Sequence, residues 1–405
     1  MRSQEIVISG MGAVGRFGDS PSDLWQALQA SQTTWLRSER LDGKPLSAEI
    51  VDFDLNRFRR TAKGHRVPRI SQYALAAAAQ AITHAQLEAK GVDKDAVSVV
   101  YGTGNGPNDV VGKNLNAIVM TGLGGVEPLS FQESVFNAPA SLISIEYGFR
   151  GPLLALPMGW AAGGHAIAMA ADLICFGHTS VAVVVASDES TSMGHRALKA
   201  LGFVTPNDGG DEAIRPFDVR HNGTIIGEGA AALILETREH AEARGAIPLM
   251  RLTGWAMRAD AFGTGSKGRG APAIQDAMES ALQMAGRSRV DLIYSGSYCT
   301  ADADQSEAEA ILGLFGRGMT PATTNIRGAI GEQKGVAALF NALAAFSSLH
   351  TGVIPATKGC EQIDPACDID VVLSKRTGVA VESILCNAFW VNGVNASFVC
   401  EAVQR

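Results

Sequence analysis

The sequence predicts an α/β fold built as two similar halves, each a mostly parallel sheet flanked by helices. Three observations predict it. Short apolar runs that end in small-residue turns alternate with helical patterns along the whole chain. The plan is stated twice, since residues 227–236 (GEGAAALILE) and 393–401 (GVNASFVCE) both lead from small residues into an apolar strand closed by Glu; an internal duplication explains this economically. Finally, 405 residues exceed one ordinary domain, and 46% hydrophobic and 19% charged side chains with 45 glycines suit an α/β protein with many tight strand–helix turns.

The elements follow in order. A strand at 6–10 opens the chain, and helical patterns follow at 21–30 and 71–90. The strand at 97–101 ends in Gly-Thr-Gly-Asn-Gly (102–106), which lacks both the Lys-Ser/Thr of a phosphate loop and a full GxGxxG, and so reads as a tight turn. Helices at 137–148 and 164–176 and a strand at 181–186 complete the alternation. Residues 187–225, rich in Gly, Asp and Pro, read as a long irregular insertion between the halves. The second half repeats the plan, with strands at 249–255, 290–295 and 383–388 and helices at 271–285, 305–315 and 335–349. The division falls into residues 1–245 and 246–405.

Bulk properties exclude several functions. A net charge of −7 without a Lys/Arg stripe argues against nucleic acid as a partner. No window approaches 18 uninterrupted apolar residues, and the N-terminus enters a strand directly, so neither a membrane span nor a signal peptide is expected and a cytoplasmic location is. The six cysteines form no CxxC pair, and the eight histidines show no HxxxH or HExxH spacing. No metal site and no cofactor are expected, Cys360 and Cys367 included.

Residues 151–165 (GPLLALPMGWAAGGH) carry the most information. An apolar run stops in a small-residue turn and opens an Ala-rich helical pattern. Such a strand–turn–helix elbow exposes one side chain at a helix N-terminus, where free N–H groups stabilise a thiolate or an oxyanion. Here that position holds Trp160, whose indole has no nucleophilic or acid–base chemistry at neutral pH.

Several phrases occur in a fixed order: residues 137–152 (NAPASLISIEYGFRGP), 215–218 (RPFD) with Asn222 and Gly223, 227–229 (GEG), 239–245 (EHAEARG), 304–311 (DQSEAEAI) and 392–395 (NGVN). Together they resemble the β-ketoacyl-ACP synthases of the thiolase-fold superfamily over essentially the whole chain. The resemblance implies a five-layered αβαβα fold of two fused, pseudo-duplicated halves, with active sites at a twofold dimer interface. Family enzymes use a Cys nucleophile to take an acyl chain from an acyl carrier protein, and two histidines to assist decarboxylation and stabilise developing charge. Carried over by local spacing, the Cys position is Trp160, the first His is Gly296, the family Lys is Thr324 and the second His is Ala329. None of the four chemical positions is kept.

Within the family this pattern is similar to the chain length factors of type II polyketide synthases. The resemblance implies a partner, an active ketosynthase α subunit in a heterodimer, served by an acyl carrier protein bearing the growing polyketide. Residues 129–148 resemble the dimer-contact region. Aromatic-polyketide members carry Gln at the nucleophile position, so Trp160 turns the reading toward polyene pathways. Trp160 either occludes this subunit's acyl site or only packs the vacated space. The family's length-limiting wall falls on Asn105, Val110, Val111, Asn114, Ile118, Met120, Phe131 and Phe136, each of which also suits ordinary core. The competing readings are an acyltransferase using Cys299, Ser295 or Ser297, and a homodimeric acyl-binding module. His165 reads as a packed structural residue, His221 as a loop hydrogen-bonding residue, and Cys175 and Cys386 as buried small hydrophobes.

Overall fold

The computed structural model describes residues 5–61, 66–88, 92–207, 211–261 and 270–403. In chain order the strands are β1 (Ile6–Gly15), β2 (Leu36–Arg37), β3 (Leu46–Ser47), β4 (Val97–Gly102), β5 (Leu153–Leu156), β6 (Val181–Asp188), β7 (Gly229–Thr237), β8 (Met250–Ala259), β9 (Leu292–Tyr294), β10 (Ala322–Thr324), β11 (Ser383–Trp390) and β12 (Val394–Glu401). The helices are α1 (Pro21–Gln29), α2 (Arg69–His84), α3 (Asn108–Thr121), α4 (Pro128–Gln132), α5 (Ala138–Tyr147), α6 (Ala162–Cys175), α7 (Ser192–Ala200), α8 (Arg238–Ala243), α9 (Ala271–Met284), α10 (Ala301–Phe315), α11 (Arg327–Ile330) and α12 (Ala337–Thr351).

Strand order exposes the duplication. The first half runs β1-β7-β6-β4-β5 and the second β8-β12-β11-β9-β10, and the two join where Ile6–Ile8 of β1 pair with Met250–Leu252 of β8. Matching positions carry matching directions. β4–β5 and β4–β6 are parallel, as are β9–β10 and β9–β11, whereas β6–β7 and β7–β1 are antiparallel, as are β11–β12 and β12–β8. The sheet is therefore mixed, which corrects the mostly parallel expectation. Only the βαβ crossovers impose a parallel neighbour; the strand closing each half returns antiparallel.

Two helices form the middle layer. α6 and α12 are apolar on nearly every side and rich in buried alanine, so both faces can meet a half-sheet closely. α2 and α5 cover the outer face of the first half, and α9 and α10 that of the second. This is the five-layered αβαβα arrangement of a thiolase-like fold.

Local chemistry sets the element ends. Ser20 caps α1 by accepting from Asp23 N, with Pro21 at the first helical position, and Thr191 and Thr300 cap α7 and α10 in the same way. The helix expected over 71–90 starts at Arg69 and stops at His84, because Gln86 takes a left-handed φ of 56°; residues 89–90 lie outside the described residues. The segment 187–225 is not wholly irregular. It holds α7, which buries His195 and Leu198, and it lies between β6 and β7 of the first half.

Candidate functional site

The elbow is built as its sequence requires. β5 ends at Leu156, Gly159 turns the chain with φ 57°, a single 3-10 turn spans Gly159–Ala161, and α6 follows. Trp160 is only 2% exposed. Its ring stacks on Trp390 with centroids 3.8 Å apart and planes at 27°, and meets Tyr298 edge-on at 5.4 Å. Phe203 lies 6.1 Å from Trp160 and 4.8 Å from Trp390, and Phe389 lies 5.9 Å from Tyr298. Where a nucleophile would project, five aromatic rings fill the space. The Trp160 Nε1–H is buried with no hydrogen-bond partner among the described residues, a defect worth about 1–3 kcal/mol. Burial and ring contacts must outweigh it.

The two positions expected for histidines are closed differently. Gly296, just past β9, donates its N–H to Glu307 Oε1 at 2.9 Å. A Cβ there would stand 2.8 Å from the Asn387 carbonyl carbon and oxygen, so the backbones meet where a side chain would begin. Ala329, in α11, is buried, and its carbonyl accepts from Thr34 N at 3.0 Å. Thr324 ends β10 with its hydroxyl donating to Pro355 O at 2.8 Å.

A buried polar network stands behind these positions. Glu307 accepts from Ser295 Oγ at 2.5 Å, Ser297 N at 3.1 Å and Asn387 Nδ2 at 2.9 Å. Asn325 donates to Ser295 Oγ at 3.0 Å and to Ser297 O at 2.9 Å. Arg327 pairs with Glu332 and donates to Ser295 O at 2.9 Å, while Asn341 Nδ2 donates to the same carbonyl at 3.0 Å. Each hydroxyl and carboxylate is engaged in holding the 295–299 segment.

The alternative nucleophiles gain nothing from this environment. Cys299 is fully buried with φ 69°, packed with Ile214 and Ile225. Burial first, and then the Asp304 carboxylate, push its thiol well above the usual range, which disfavours the thiolate. Ser297 Oγ donates to Asp304 as Ser295 Oγ does to Glu307, and neither serine has a histidine partner among the described residues.

The histidines hold structure. His165 Nδ1 donates to Ala161 O at 3.1 Å, and burial lowers its pKa. His221 bridges Asp304 at 2.9 Å and Asp364 at 3.2 Å, pinning the 360–367 segment to α10. Cys386 is fully buried as expected, but Cys175 is half-buried because it sits at the last residue of α6. Among the described residues no group of three His, Cys, Asp or Glu side chains could hold a metal ion, and no helix is long and apolar enough to cross a membrane.

The wall candidates differ in their surroundings. Asn105 N–H donates to Asp188 Oδ1 at 2.9 Å, and Val110 is buried against the core. Val111 and Asn114 are half-buried, Asn114 Oδ1 accepting from Ser130 Oγ at 2.8 Å. Ile118, Met120, Phe131 and Phe136 are exposed, with the Phe136 ring against the Gly106 turn. At 3.6 residues per turn, positions 110, 111, 114 and 118 share one stripe of α3, and Met120 falls off it. Leu115, Val119, Leu123, Leu129, Val135 and Ile145 are exposed too.

Sequence reasoning missed the aromatic partners of Trp160. Trp390, Phe203 and Tyr298 belong to no short motif, and only Tyr298, two residues from Gly296, lies near a candidate position in sequence.

Comparison with known proteins follows this geometry closely. The N-terminal domain of the β-ketoacyl synthase family matches residues 3–241, and its C-terminal domain matches residues 249–361. The chain belongs to the β-ketoacyl synthase family. It is 27% identical over 414 residues to the 3-oxoacyl-[acyl-carrier-protein] synthase 2 of Coxiella burnetii, covering 100% of both chains. The solved structure of the ishigamide ketosynthase/chain length factor is 25% identical with a TM-score of 0.89, covering 99% of this chain and 100% of that one. A ketosynthase in complex with its chain length factor from Xenorhabdus doucetiae shares the fold at 21% identity and a TM-score of 0.83, covering 99% of this chain and 98% of that one. The family's scaffold is thus intact here, and the elbow expected to carry its nucleophile is packed with aromatic side chains.

Proposed function

We propose that this chain is a catalytically inactive ketosynthase-like subunit of the chain length factor kind. It pairs with an active ketosynthase and shapes the cavity that limits how far a polyketide, of the polyene class, grows on its acyl carrier protein. The observation that carries this reading is Trp160 at the elbow, buried and stacked on Trp390 at 3.8 Å where a nucleophile would stand. No imidazole occupies position 296 or 329, so neither enolate nor oxyanion charge has its donor. Loss of one such donor raises a barrier by about 2.7–4 kcal/mol, and here two are lost with the nucleophile.

The exposed residues of α3 and α4 support a shared cavity. Phe131, Phe136 and Ile118 are 65%, 44% and 38% exposed, and a partner seated on that face would turn them into a wall. The likeness to the ishigamide ketosynthase/chain length factor favours the same assignment.

Reconstitution with an active type II ketosynthase as candidate partner tests the reading. After incubation with malonyl-loaded carrier protein, intact-mass spectrometry should find acyl adducts on the partner and none on this chain. An adduct on this chain overturns the inactive reading. A stable homodimer that ignores the ketosynthase overturns the pairing.

A further inference from the structure

The residue facing Trp160 comes from the other half of the chain, and its placement carries an argument of its own. Trp390 is the last residue of β11, paired with Val394 of β12, and its carbonyl accepts from Gly393 N at 3.0 Å in the turn between them. The hairpin ladder fixes its backbone, which a loop would not do. Its ring lies over the elbow so closely that a Cβ on Gly159 would stand 2.4 Å from Trp390 Cδ1. The fit therefore needs glycine at 159.

Burial orders the two indoles. Trp160 is 2% exposed, whereas Trp390 and Phe203 are partly exposed, so these two rings form the outer layer and Trp160 the inner one. Trp390 does not depend on Trp160 for its position. It also meets Phe203 at 4.8 Å and Tyr298 edge-on at 5.0 Å.

We propose that Trp390 is the lid of this subunit's vestigial site, a specificity-determining residue that keeps acyl groups out whatever stands at position 160. The proposal rests on the reading of Trp160 as a blocked nucleophile position and deepens it: the block is double, and Trp390 in its outer layer comes from the second half of the chain. Reverting position 160 to cysteine leaves the lid shut, since the β11–β12 hairpin, Phe203 and Tyr298 still hold Trp390 over the elbow. The site opens only when position 390 is made small.

Thiol alkylation reads this directly on the full-length chain, alone or in its complex, with peptide mapping to separate residue 160 from the six native cysteines. With iodoacetamide at pH 8, W160C should react slowly, and W160C/W390A at least tenfold faster. Equal rates in the two variants overturn the proposal, whether both are fast or both slow. If W160C/W390A does not fold, W160C/W390L replaces it, with the same rise expected and the same equality counting against the lid. No partner or carrier protein enters the measurement. Its failure therefore leaves the inactive-subunit reading standing, whereas an acyl adduct on the wild-type chain would defeat that reading and leave the alkylation result untouched.

Discussion

Gly296, the position the resemblance assigns to the first histidine, is closed by backbone packing. Its N–H serves Glu307, and the Asn387 carbonyl occupies the space in which a side chain would start, 2.8 Å from an ideal Cβ. Restoring the family's donor as G296H must push the β11 backbone aside in a buried region, and overpacking of this kind costs about 1–3 kcal/mol. The urea midpoint of G296H should fall accordingly, with condensation still absent; an unchanged midpoint would show that the segment has room to spare. The four candidate positions came from the family resemblance, each counted from a phrase that carries it. What fills them was not legible. Trp390 meets Trp160, and Asn387 meets Gly296, through tertiary contacts that no local pattern encodes.

At the scale of an element, α3 depends on a residue outside itself. Its own cap position, Pro107, provides no side-chain acceptor, and Glu189 supplies one from the end of β6 by accepting from Asp109 N at 2.9 Å. Burial pushes Glu189 up to about 7 from an ordinary 4.5; the charges of Asp109 and Glu228 add to the rise, while the Asp109 N–H bond and Lys334 oppose it. A carboxyl whose folded pKa lies above its unfolded value gives stability that is fully present below about 4.5 and lost as pH climbs to about 7. The loss is on the order of 3 kcal/mol. E189Q keeps the acceptor for α3 and cannot ionise. Chemical denaturation should find it more stable than wild type at pH 8, with the gap closing toward pH 4.5; a gap independent of pH would mean that Glu189 titrates normally. Element identity was largely readable from apolar periodicity, as at β4, β6, α6 and α12. The direction of β7 and β12 was not, since an antiparallel return and a parallel crossover leave the same apolar run. α7 was hidden for a related reason: nine residues with a single apolar face are a weak signal inside a Gly- and Asp-rich stretch.

For the whole molecule, the decisive feature is a face without cover. Val119 is 79% exposed and Leu123 82%, with Leu115, Leu129, Phe131 and Ile145 exposed beside them, and β5 ends the sheet with one row of backbone groups unpaired. So many exposed apolar side chains between residues 115 and 145 favour a protein partner, and the proposed ketosynthase is the partner that would turn them into a cavity wall. Charge placed there separates association from folding. Both side chains stand in solvent, so V119E/L123E should leave the melting of the isolated chain within about 0.5 kcal/mol of wild type. The same double variant should weaken co-purification with the ketosynthase at least tenfold, because two carboxylates would be buried without partners in the joint interface. Undiminished pairing would move the interface elsewhere on the molecule. A fall in the chain's own stability would instead make these residues part of its fold, and the open face would lose its claim to a partner.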